Sequence, residues 1–139
     1  MKIMRRYARE ISFCLIYEYL FTGERNGLSL DLFDPSALTE EDKILLSKLY
    51  NGTVDHLEEY KEKVTKYSKG YKIDRVFKVD LAIMVLAMHE MLKVGTPAAV
   101  CVNEAVEIAK KYSTEKSLSY VNGLLAQFVK QEIEERAAE

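Results

Sequence analysis

Apolar residues recur every three or four positions along nearly the whole chain, and no stretch of useful length alternates with the period of two that a half-buried strand requires. From Arg5 to Phe21, Ala8, Ile11 and Leu15 form one stripe and Tyr7, Cys14, Tyr17 and Phe21 an adjoining one, which predicts a helix with a broad apolar face. Thr22-Gly23 ends it, and the turn-rich stretch through Asn26-Gly27 to Asp34-Pro35 reads mostly as loop. Thr39, followed by Glu40, Glu41 and Asp42, predicts a capped helix start with acids at the positive end of the helix dipole. Its stripe of Leu46, Leu49, Tyr50, Val54, Leu57, Tyr60, Val64 and Tyr67 keeps one period, predicting a single helix that stops at Gly70. Asp74 to Lys93 is apolar nearly all round, as expected of a buried central helix. Thr96-Pro97 fits the cap and first turn of a helix through Tyr112, with Glu107 and Lys111 paired on its wet side. Ser113 or Thr114 can cap a last helix with Leu118, Val121, Leu125 and Phe128 on its face. The fold class is all-α.

Two Asn-Gly pairs, Asn51-Gly52 and Asn122-Gly123, have the composition of hairpin turns yet lie inside helical stripes. Glycine in a helix costs about 1 kcal/mol relative to alanine. Either Gly52 and Gly123 permit a close helix contact while Asn122 ties down a neighbour, or the Asn is directly functional.

At 139 residues the chain suits one domain, and its 48% apolar and 30% charged content is that of a globular protein. No apolar run approaches the roughly 18 residues of a membrane span, and the basic start lacks the pattern of a secretory signal. Cys14 and Cys101 lie in apolar stripes, which suits free thiols in a reducing compartment and hence a cytoplasmic location.

The net charge of -2 advertises no polyanion partner, but its distribution is uneven. Lys2, Arg5, Arg6 and Arg9 precede the first acid, and Lys2, Arg5 and Arg9 share a face if the helix extends that far. Such a strip is either a solvated helix start or a phosphate-binding surface; cations at a helix N-terminus oppose its dipole, which favours binding. His56 and His89 lack the spacing of metal-ligand motifs, and no nucleophile motif or phosphate-cradling glycine loop is present, so neither metal, cofactor nor catalysis is expected. Asp80, an acid in an apolar helix, requires a cap role, a basic neighbour or a partner surface.

Val102-Asn103-Glu104-Ala105-Val106-Glu107-Ile108-Ala109-Lys110 and Tyr120-Val121-Asn122-Gly123-Leu124-Leu125 resemble the NusB family of bacterial transcription antitermination factors. Arg5-Arg6-Tyr7-Ala8-Arg9-Glu10, Asp74-Arg75 and Val79-Asp80-Leu81-Ala82-Ile83 extend the resemblance over nearly the whole length. It implies a single RNA-binding domain over 1–139, a bundle of about seven helices in two packed subdomains, about 1–70 and 71–139. It also implies binding of boxA-type single-stranded RNA from ribosomal RNA operons, together with ribosomal protein NusE, in an antitermination complex on RNA polymerase. By the same resemblance Lys2, Arg5, Arg6, Arg9 and Tyr120 are expected to contact RNA, and Tyr17, Asp80 and Lys116 the partner protein. Cys14 stands where the family often has Gln, and Leu81 and Val85 where it usually has Arg, which thins the expected basic surface. The alternative is a protein-interaction module or homodimer without RNA binding of its own.

Overall fold

The computed structural model describes residues 2–69 and 72–138, and among these all regular structure is helical. In chain order the helices are α1 (Lys2–Thr22), α2 (Glu40–Asp55), α3 (Leu57–Tyr67), α4 (Lys78–His89), α5 (Ala98–Tyr112), α6 (Glu115–Phe128) and the short α7 (Glu135–Ala138). The expected stop at Gly70 lies outside the described residues.

Helix α4 is the axle of the fold. From Asp80 through Met91 every residue is buried, as its all-round apolar sequence requires, and α1, α2, α3, α5 and α6 all pack against it. Ile83, Met84 and Met88 there meet a core that includes Ile11, Ile16, Leu49, Tyr60, Val64, Leu125 and Phe128, all essentially inaccessible to water. Full burial of each such side chain stabilises the fold by about 1.5–3 kcal/mol before conformational entropy is charged against it.

Caps fall where the side-chain chemistry places them. Thr39 accepts a hydrogen bond from the Asp42 amide, and Thr114 one from the Ser117 amide. The segment between α1 and α2 is not plain loop: it holds two short 3-10 turns, Leu28–Leu32 and Pro35–Ala37. Glu18 of α1 accepts from the Leu28 and Ser29 amides, and the Tyr7 hydroxyl accepts from the Asp34 amide, so the segment is laced back onto α1.

Three expectations need correction. The helix expected to run unbroken from Thr39 to Gly70 is interrupted at His56, whose backbone leaves helical geometry (φ -112°, ψ 18°). The stripe keeps its period across the break because periodicity records which residues share a face, not whether the axis bends. Pro97 is the N-cap of α5 rather than its first residue, and the Thr96 amide donates instead to the Glu90 carbonyl. Glu107 pairs with Lys110, at 3.2 Å, while Lys111 crosses to Glu10 of α1.

Helices α4 and α6 both continue into a widened turn, Glu90–Val94 and Val129–Glu134, with Gly95 (φ 84°) closing the first. Each contains a buried carboxylate. Glu132 accepts from Lys63 at 2.8 Å and from the Tyr67 hydroxyl, which clamps the chain's end to α3. Burial pushes its carboxyl pKa up, but the bonds from Lys63 and Tyr67 outweigh that and hold it down to about 2. A depressed carboxylate stabilises the fold above its unfolded pKa and ceases to as pH falls through the folded one. Glu132→Gln should therefore cost about 1–2 kcal/mol at neutral pH. In acid titrations followed by circular dichroism, its deficit against the parent chain should close between pH 4.5 and about 2. A deficit constant across that range would assign the loss to packing.

Candidate functional site

The basic start is helical throughout, because α1 begins at Lys2, and its first turn contains no acid to match the helix dipole. The Lys2 side chain lies outside the described residues. Arg5 is exposed, with its guanidinium 3.9 Å from the buried Asp42. Arg6 is 56% exposed and donates through Nε to both oxygens of Glu104 on α5, at 3.0 and 3.3 Å.

Arg9 does not stand on the expected strip. Its side chain is 8% exposed and makes three hydrogen bonds to Glu90, at the start of the widened turn that continues α4, at 2.9, 3.0 and 2.7 Å, with Nη1 a further 3.6 Å from Glu104. The reason is the width of the apolar face: Ala8, Ile11 and Ser12 are fully buried around it, so a side chain at position 9 enters the core and needs a counter-ion there. Glu90 supplies that counter-ion, a pairing that sequence reading did not identify. It is an acid in the same apolar stretch that made Asp80 conspicuous.

Between α1 and α5 runs a groove of about 370 Å³ whose charged lining includes Arg6, Glu104, Glu107, Lys110 and Lys111. Sequence reading missed Glu104, Lys110 and Lys111 as parts of the site, since their relation to the basic start is purely tertiary.

A second, larger groove of about 790 Å³ joins the start of α4 to the start of α6 and is lined by Arg75, Phe77, Asp80, Lys116 and Tyr120, among others. Tyr120 thus lines this groove and not the one holding Arg6; its hydroxyl lies 2.7 Å from Ser68 Oγ. Asp80 is buried and turned inward, accepting from Ser113 Oγ at 2.6 Å and Ser117 Oγ at 2.7 Å, so it fastens the α5–α6 corner. Its hydrogen bonds are internal, since a carboxylate buried without a cation is satisfied by hydroxyls first, while its position keeps it in the lining of this groove. Lys116 is exposed.

Tyr17 is half-buried between Phe13 (6.2 Å between ring centres) and Phe21 (5.0 Å). Phe21 is exposed, with Lys78 Nζ 5.4 Å from its ring, and Phe77 is 63% exposed. Exposed aromatics of this size are a stronger partner signal than Tyr17.

Leu81 and Val85 are core residues, so neither position offers surface for a lost arginine to have occupied. The two glycines differ. A Cβ on Gly52 would lie 2.1 Å from His89 Nε2, a genuine close approach, whereas one on Gly123 would meet nothing within 4 Å. Asn122 is exposed beside a shallow α5–α6 groove, so the expected tie and the expected close contact at Asn122-Gly123 are both absent. Asn51, by contrast, accepts from Arg25 at 3.0 Å and donates to Ser47. Among the described residues no group of three or more His, Cys, Asp or Glu side chains could hold a metal ion, and no helix is long and apolar enough to cross a membrane.

The NusB family model matches residues 6–130. The chain is 38% identical over 135 residues to the transcription antitermination protein NusB of Methylacidiphilum infernorum, covering 92% of each. Among solved structures, T. maritima NusB superposes with a TM-score of 0.82 at 26% identity, over 91% of both chains. A structure of antitermination factors NusB and NusE in complex with dsRNA superposes at 0.81 and 24% identity, covering 94% of this chain and 98% of that one, and so shares the fold.

Proposed function

The chain belongs to the NusB family of transcription antitermination proteins, and from that membership we propose that it binds boxA-type single-stranded RNA of ribosomal RNA operons together with ribosomal protein NusE. It acts in the cytoplasm as part of an antitermination complex on RNA polymerase. The observation that carries the reading is the exposed Arg5–Arg6 pair at the head of α1, in a chain whose net charge is otherwise negative. Arginine offers phosphate a planar fork of donors, and Lys2 extends the same basic start. Arg9 holds α1 in place through Glu90. Tyr120 offers a ring for base stacking at the second groove.

For NusE the supported surface is the second groove and the aromatics beside it, with Phe77, Phe21 and Lys116 as contacts and Tyr17 packed behind Phe21. A solved complex of the same fold holds NusB and NusE with double-stranded RNA, so the fold is one on which a NusE partner and an RNA occur together.

Titrating boxA RNA, and a scrambled RNA of equal length, with and without NusE tests the reading. With about three phosphates neutralised, log affinity against log salt should have a slope near -2. Arg5→Ala with Arg6→Ala should weaken RNA about tenfold or more, and Phe21→Ala should weaken NusE while leaving RNA alone unchanged. Equal affinity for boxA and scrambled RNA in both arms would sink the proposal. The second reading, an interaction module or homodimer, draws on the internal pairing of Arg6 and Arg9. A concentration-dependent dimer in sedimentation that RNA does not dissociate would favour it.

A further inference from the structure

Glu104 sits between two arginines where α1 meets α5, and the two hold it differently. Behind it, Arg9 Nη1 lies 3.6 Å from Oε1, and Arg9 is itself fixed by three bonds to Glu90. In front, Arg6 Nε donates to both carboxylate oxygens while most of the Arg6 side chain faces water. Glu104 is only 14% exposed, so it is a fixed anion rather than a solvated one. Two guanidiniums and two carboxylates make the group neutral, and the basic start is weaker electrostatically than its sequence.

Phosphate pairs best with arginine as a fork, taking Nε together with one Nη. In this structure Nε is occupied by a carboxylate, which presents two oxygens to arginine much as phosphate does. On the RNA reading above, we propose that Glu104 is an internal competitor of the RNA backbone at Arg6. Its anchored carboxylate must give up Nε before a phosphate can take the fork. Glu104 acts through Arg6 and is a positioning residue that sets the affinity threshold. An RNA held by other contacts crosses that threshold, and one offering phosphate alone does not.

The exchange has a signature in salt dependence. A phosphate landing on Arg6 releases a cation from the RNA, but the displaced carboxylate remains beside it as a fixed negative charge and retains a cation in turn. Neutralising Glu104 removes that offset. Glu104→Gln keeps the side chain's shape without its charge, and Glu104→Asp keeps the charge while shortening its reach toward Arg6.

The test is titration of the full-length chain with single-stranded boxA RNA and with scrambled RNA at several salt concentrations, alongside thermal melts. Glu104→Gln should bind RNA about threefold to fivefold tighter, with a salt slope steeper by about 0.7 and with a larger gain for scrambled RNA than for boxA. Glu104→Asp should fall between it and the parent chain. In an Arg6→Ala background the effect of Glu104→Gln should vanish, which ties it to Arg6, and tighter RNA binding without a higher melting temperature is what loss of a merely structural contact would not produce. If the parent chain binds RNA and both Glu104 variants bind equally well or more weakly, the competitor role is overturned and the RNA reading stands. If neither the parent chain nor Glu104→Gln binds any RNA, alone or with NusE added, both fall.

Discussion

Arg9→Met is expected to destabilise the protein by about 3–5 kcal/mol, the range for removing one partner of a buried ion pair. The loss comes less from Arg9 than from what it leaves behind. Glu90 is 2% exposed on a helix that every other long helix packs against, and its oxygens accept three hydrogen bonds from this one guanidinium. Without Arg9 the carboxylate is stranded away from water. The double replacement Arg9→Met with Glu90→Leu removes both charges and should recover most of the loss, since well-packed apolar residues often equal or exceed a buried pair. Urea unfolding measures both, with the shift read in the midpoint at unchanged slope. A single-variant loss below about 1 kcal/mol would mean that water reaches the pair and that the site is not the dry one described here. The result also bears on function. An Arg9 variant that binds RNA poorly would do so because α1 has moved, so only Arg5 and Arg6 test phosphate contact directly.

The two glycines should respond to alanine with opposite signs. Both sit in helices without a positive φ, so both substitutions gain up to about 1 kcal/mol of helix propensity. At Gly123 nothing opposes the gain, because the added methyl meets no atom within 4 Å, and Gly123→Ala should be more stable by about 0.5–1 kcal/mol. At Gly52 the methyl would overlap the His89 ring, 2.1 Å from Nε2 and 2.4 Å from Cε1. His89 cannot retreat: it is buried, its Nδ1 lies 2.7 Å from the Tyr60 hydroxyl, and His56 stacks 5.9 Å away. Overpacking of this kind costs about 1–3 kcal/mol, and losing the Tyr60 bond about 1 more. Gly52→Ala should therefore be destabilised by roughly 1–3 kcal/mol net. Thermal unfolding of the pair settles it, and a Gly52→Ala chain as stable as its parent would mean that the α2–α4 contact is slack.

The helices were legible because their cause is local. Stripes at three and four residues specify which sides α1, α2 and α6 bury, and Thr39 and Thr114 as caps specify where α2 and α6 begin. What escaped was anything decided by residues distant in the chain. Arg9 and Glu90 are 81 positions apart, and nothing in the basic run at the start distinguishes the arginine that enters the core from the two that do not. Asp80 was conspicuous as a buried acid, but its partners, Ser113 and Ser117, belong to an inter-helix corner that periodicity cannot locate. Asn51-Gly52 and Asn122-Gly123 look identical as sequence, yet only the first faces another helix. The break at His56 was invisible for a further reason, since a bend that preserves the buried face leaves no mark on the stripe.

The widened turns after α4 and α6 bear on how this chain lines up with its kin. A turn of the wide form holds more residues than an ordinary helical turn, so the buried stripe leaves it rotated relative to the one that entered. Wherever a family member closes the same helix with ordinary turns, a gap-free alignment through Glu90–Val94 or Val129–Glu134 pairs inward residues with outward ones. Homologous core positions there are recovered only by admitting a one-residue offset inside a continuous helix, where alignment scoring penalises it most.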